Sequence, residues 1–213
     1  MNLSLYLLIA LLLACAPRVD AQRVVVDPAI AGSAQAAVQR LGLERMKGNF
    51  RYGQDRMYPR WKRRLAKRLG GMDKIEQQFV AGEQQRIKMG LVVTEYRAGA
   101  PRAFFDVWRA KKLDAKTGKP IADASGHEII VGHWLAVVPT ITRVKLPDRQ
   151  QGGKIRELEE QSYTIAICEK GSNDWYFLTG MEPTVQDLRS LFPSLPLDEK
   201  ELGLPMPSAR EIK

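Results

Sequence analysis

The chain is poor in the side chains that most chemistry needs: among 213 residues there are two cysteines and two histidines. Cys15 falls in the N-terminal apolar run and Cys168 in mid-chain, so the body of the protein has a single thiol and no internal disulfide. His127 and His133 have no third histidine or cysteine near them, which is a poor zinc signature, and neither a metal nor another cofactor is implied. No glycine loop of the phosphate-cradling kind and no Ser-His-Asp order occurs. Internal repeats are absent. Beyond the N-terminus no run is long and apolar enough to cross a bilayer, which takes roughly 20 residues.

The N-terminus is different. Leu3 to Ala14 is almost unbroken apolar sequence that stops before Pro17. That is the length of a signal-peptide core and not of a membrane helix. Two processing sites compete. Val19-Asp20-Ala21 offers the small residues that a signal peptidase reads, making 1–21 the signal and Gln22 the mature terminus. Leu12-Leu13-Ala14-Cys15 reads as a lipobox, with the signal ending at 14, Cys15 lipidated and the protein anchored to a membrane. Either way the chain is expected to be exported, as a periplasmic or secreted protein or as an envelope lipoprotein.

A formal net charge of +9 favours anionic partners, polysaccharide or lipid surface before nucleic acid. Six of the positive charges lie together: Arg60, Lys62, Arg63, Arg64, Lys67 and Arg68. On a helix whose other side carries Trp61 and Leu65 they make a positive face for an anionic surface, or simply a solvated outer face. Nucleic acid is not expected, because a single tryptophan is no stacking platform.

Asp27-Pro28 is a helix-start pair, and residues 29–46 continue it. Residues 49–55 read as a polar break, and 56–69 as a second helix ended by Gly70-Gly71. Asp73 and Glu76 suggest a capping box for a third helix with Met72, Ile75, Phe79 and Val80 on its buried side. The period then becomes two, the mark of strands, over 91–97, 103–110, 128–145 and 154–169. Pro139 inside the third strand implies a bulge or an edge. Residues 160–180 read as a hairpin turning at Gly171-Ser172-Asn173-Asp174, with Tyr163, Ile165 and Ile167 on one side and Trp175 and Phe177 packing with them. Thr184 and Asp187 start a short helix over 185–191. One domain over 22–196 accounts for the chain, followed by a loosely held tail over 197–213. Helices first and antiparallel strands after is an α+β order, with helices expected on one face of a curved sheet.

Four segments in this order resemble a family of exported bacterial NTF2-like proteins: RYGQDRMYPRWKRRLAKRLGGMDKIEQQF, HWLAVVPTITRVKL, SYTIAICEKGSNDWYFLTG and DLRSLFPSLP. They cover 48–196, with Cys168 where the family has serine and an apparently longer hairpin at 111–126. The resemblance implies an NTF2-like, cystatin-like cone, a strongly bent sheet wrapped round a helix with a mouth for a small ligand. The wider fold hosts isomerases, dehydratases, hydrolases and plain binding modules, so it constrains function weakly. A binding or interaction protein of unknown ligand, rather than an enzyme, is the reading that follows. Its partner would be a small molecule, an envelope component, or a second copy on the sheet face.

Within that frame His133 and Asp106 are the acid–base candidates, on neighbouring strands. Trp108, Trp134 and Tyr176 are the candidate pocket aromatics. The alternative for all of them is ordinary sheet packing.

Overall fold

The computed structural model describes residues 23–112, 119–148 and 153–212. The expected signal over 1–21 and Cys15 lie outside them. Four helices come first, α1 (Pro28–Met46), α2 (Phe50–Asp55), α3 (Pro59–Leu69) and α4 (Met72–Lys88). They are followed by β1 (Val92–Ala98), β2 (Ala103–Lys111), β3 (Ile130–Asp148), β4 (Lys154–Glu169) and β5 (Tyr176–Phe177). Helices α5 (Val185–Leu191) and α6 (Glu199–Leu202) and strand β6 (Ser208–Ile212) complete the order. The α+β class is as expected. No described helix is long and apolar enough to cross a membrane.

Several boundaries move for local reasons. Asp27 caps α1 as expected, its Oδ1 accepting from Ala29 N–H at 2.7 Å. The expected break at 49–55 instead holds α2, which Asn49 caps. The helix expected from residue 56 starts only at Pro59, because a residue before proline is driven out of the α region and Tyr58 is extended. That extended link is used: Tyr58 N–H donates to Phe177 O at 2.9 Å and Phe177 N–H to Arg56 O at 2.8 Å, a short parallel bridge. The Asp73–Glu76 capping box does not form. Helix α4 already starts at Met72 behind Gly71, leaving Asp73 in the first turn, where its charge suits the helix dipole.

The sheet is open, antiparallel and six-stranded, and β3 is its spine. Along one edge of β3 lie β2, on the first half, and β1, on the second. The other edge pairs with β4 from His133 to Asp148. Beyond β4, β5 extends one end of the sheet and β6 the other. Pro139 therefore sits neither on an edge nor in a bulge. It lies opposite Tyr163, where β1 hands over to β2, and its carbonyl accepts from Gly99 N–H at 2.8 Å. In an antiparallel ladder a residue's N–H points the same way as its C=O. The missing donor thus falls at the β1–β2 turn and costs no bond with β4.

Helices cover both faces of this sheet, not one. On the first face Leu135, Val137, Ile165, Ile167 and Phe105 pack with Trp61 and Leu65 of α3 and Leu188 and Leu191 of α5. On the second, Ala136, Val138, Ala166, Cys168 and Phe104 pack with Ala34 and Val38 of α1. Trp175 and Phe177 belong to this second face, away from Ile165 and Ile167, because Phe177 stands opposite Ala166 in the register. Small residues let α1 lie close: a Cβ on Gly42 would come within 2.0 Å of the Tyr96 ring. Gln39 also closes the β1 edge, donating to Tyr96 O at 2.9 Å and accepting from Ala98 N–H at 2.8 Å, as a paired strand would.

The tail expected to be loose is docked. Leu202 is fully buried, and β6 pairs with β4 from Glu157 to Gln161. A charge ladder crosses the sheet there. Arg143 meets Glu95 at 2.9 Å and Glu159 at 3.1 Å, and Arg210 of β6 meets Glu159 at 2.7 Å. Hydrogen bonds from Arg210 and Arg143 hold the Glu159 carboxyl below its ordinary range. Such cross-strand pairing of opposite charges is the sheet's equivalent of helix spacing, and the tail's polar composition concealed it.

Candidate functional site

Helix α4 is unusual in burying little of itself. Ile75 is its one buried residue, while Met72 and Val80, expected inside, are about half exposed at 52% and 50%. The stripe that lines a cavity is Ile75, Gln78, Phe79, Gly82, Glu83 and Arg86, at the three- and four-residue steps of one helix face, with Gln78 and Gly82 still open to solvent. This stripe forms one wall of a cavity of about 460 Å³. Leu65 and Leu69 of α3 and the segment Thr179–Glu182 close it at one side. Leu41 and Arg45 of α1, the cap residue Asn49 and Phe50 of α2 close the other.

The cavity is graded along α4. Near the helix start the wall is apolar except for Glu182: Leu65, Leu69, Ile75, Phe79 and Met181. Near its end come the charges. Arg86 donates to both carboxylate oxygens of Glu83, with Nε at 2.9 Å and Nη2 at 2.5 Å, and stacks over Phe50 at 5.6 Å. Arg45 forms no ion pair among the described residues. Between the two ends sits Gly82, where an added Cβ would meet nothing within 4 Å. Glycine in a helix interior costs about 1 kcal/mol relative to alanine, and packing does not demand it here.

Tyr163 is outside the lining but bonds Glu182, which belongs to it. Burial chiefly, with the negative charges of Glu182 and Glu199 and a hydrogen bond to Glu182, pushes its hydroxyl up to about 12. It is a donor to the Glu182 carboxylate and not a base. The walls thus offer apolar surface, a cation and hydrogen-bonding groups, which is equipment for holding a ligand.

The candidates drawn from the sequence lie elsewhere. Asp106 stands opposite Trp134, one step along β3 from His133, so alternation turns Asp106 and His133 to opposite faces. The Asp106 carboxylate is engaged by Lys170 Nζ at 2.6 Å, and the same ammonium lies over the Trp134 ring at 3.8 Å. The acid–base pair is therefore not assembled. Tyr176 gives its hydroxyl to Asp174 at 3.0 Å and carries Arg56 over its ring. Neither Trp134 nor Tyr176 lines the cavity; the side chain of Trp108 is outside the described residues. His127 closes a turn, its N–H donating to Asp123 Oδ1 at 2.9 Å. Among the described residues no group of three or more His, Cys, Asp or Glu is placed to hold a metal ion.

The basic face is divided. Arg60, Arg64 and Arg68, spaced four apart, turn toward α5. Arg60 Nη1 donates to Leu191 O at 3.1 Å, Arg64 bonds Ser190, and Arg64 and Arg68 both pair with Asp187. Arg63 and Lys67 stay exposed and Lys62 is half-buried. Cys168 is buried, and desolvation pushes its thiol up to about 11, leaving it an inert packing residue at neutral pH. No family model matches the chain, and neither the curated proteins nor the solved structures contain a match.

Proposed function

We propose that this is an exported, non-catalytic binding domain of NTF2-like kind that takes a small molecule into the cavity along α4. The observation that carries the reading is the cavity itself, about 460 Å³ with an apolar end, a charged end and a glycine where a side chain would fill it. Its size is that of ordinary ligand sites. The test is uptake of the neutral dye Nile red by the native protein, read as fluorescence. Gly82→Leu should abolish it while leaving the unfolding midpoint unchanged or raised, since leucine favours helix over glycine by about 0.5–1 kcal/mol. Equal dye uptake by both proteins would remove the cavity as the site. Export is proposed through cleavage after Ala21 or through lipidation of Cys15. Mass spectrometry of the mature N-terminus checks this: an unprocessed Met1 would refute both routes.

A further inference from the structure

Resting on the cavity as the binding site, we propose that its ligand is a single-chain alkyl carboxylate, with the chain along the start of α4 and the carboxylate beside Arg45. The stripe from Ile75 to Arg86 covers eleven helical steps, about 16 Å at 1.5 Å per residue. A pocket of this length that is apolar at one end only fits an elongated amphiphile better than a compact ring.

Charge selects the head group. Glu83 is spent on Arg86, which holds both of its oxygens, so this pair offers an incoming head little net charge. Arg45 is left as the cation of that end, with no ion pair among the described residues, and it is exposed enough to meet a charged head without stripping it of water. Glu182 lines the cavity two residues after Gly180, whose neighbours Leu65 and Phe79 belong to the apolar end. A carboxylate placed there would face another carboxylate. Attraction at Arg45 and repulsion at Glu182 therefore set the same direction for the ligand. The chain then passes Gly82, whose missing side chain leaves room for it.

The experiment is calorimetric titration of the full chain with decanoate, decyltrimethylammonium and decyl glucoside, which share a tail and differ in head charge. Decanoate should bind most tightly, and Arg45→Glu should weaken it at least tenfold. Gly82→Leu should abolish binding of all three. If decanoate affinity is unchanged by Arg45→Glu, or the cationic or neutral amphiphile binds as tightly, the head-group assignment is overturned. Nile red separates the two levels. Dye uptake by the wild-type chain with no preference for decanoate defeats the carboxylate and leaves the cavity standing; no dye uptake and no amphiphile binding defeats both.

Discussion

Replacing Trp61 with alanine is expected to lower the stability of the fold by about 3–5 kcal/mol, the range for deleting a large buried aromatic. Trp61 is fully buried in the first-face core. Its indole Nε1 donates to Thr179 O at 2.8 Å, and Arg68 lies over its ring at 5.8 Å. The substitution opens a void and also leaves the Thr179 carbonyl without that donor. Thr179 begins the segment that walls the cavity, so ligand binding should weaken together with stability. Urea denaturation reads the first effect directly. Trp61→Phe separates the terms: most of the apolar volume stays, the hydrogen bond goes, and the loss should fall to about 1–3 kcal/mol. A loss below about 1 kcal/mol for the alanine variant would mean that this core can collapse around the gap.

Asp187 should be the most costly carboxylate to remove. It is 3% exposed, caps α5 by accepting from Thr184 N–H at 3.2 Å, and takes Arg64 and Arg68 of α3. Asp187→Ala is expected to cost about 2–3 kcal/mol. That is less than the 3–5 typical of a broken buried pair, because both arginines are about one-third exposed. The pH dependence follows. Burial by itself would raise the Asp187 carboxyl, but hydrogen bonds from Arg68 and Thr184 outweigh it and the net shift is downward. A carboxyl depressed in the folded state contributes stability that is fully present above its unfolded titration, near pH 4. That contribution is lost as pH falls from there through the lower folded value. Asp187→Asn should therefore flatten the acid limb of the stability–pH curve below about pH 4. An acid limb that keeps its slope in the variant would assign it to other depressed carboxyls, such as Glu159.

Much of the fold is written locally. Asp27-Pro28, Gly70 and Thr184 with Asp187 mark helix ends by chemistry that acts within four residues, and the structure uses all three. The switch to a two-residue period placed the long strands. Which face was buried was harder to read, though one clue was present. Leu135-Ala136-Val137-Val138 and Ile165-Ala166-Ile167-Cys168 contain no polar residue, the mark of a strand covered on both sides. Tyr176 reads from the sequence as a pocket aromatic, yet its hydroxyl is given to Asp174, and register sends Phe177 to the α1 side.

The candidate site was less legible because a cavity is a relation between distant segments. The spacing of Ile75, Phe79 and Gly82 shows a common helix face; it does not show that the opposite wall comes from Thr179–Glu182. The basic run hides its division for the same reason. Arg60, Arg64 and Arg68 differ from their neighbours only because α5 lies beside them, with the Leu191 carbonyl at Arg60 and Asp187, 119 positions from Arg68, at the other two. Gly82 inside a helix was a local trace of the cavity, but Gly32 in α1, equally uncrowded and outside the lining, shows how little a helical glycine says alone.

The docked tail bears on how the chain must be made. Arg23 Nε donates to Glu201 O at 2.7 Å, a contact spanning 178 positions, and β6 adds the last strand beside β4. A loop of that length closes slowly, and the sheet cannot be completed before residues 208–212 have been synthesised. During synthesis one end of β4 therefore has no β6 beside it, and Glu159 lacks Arg210. Until residues 208–212 are present, the β4 end that carries Glu159 is an unpaired sheet edge, so closure of this fold depends on its most distant pairing.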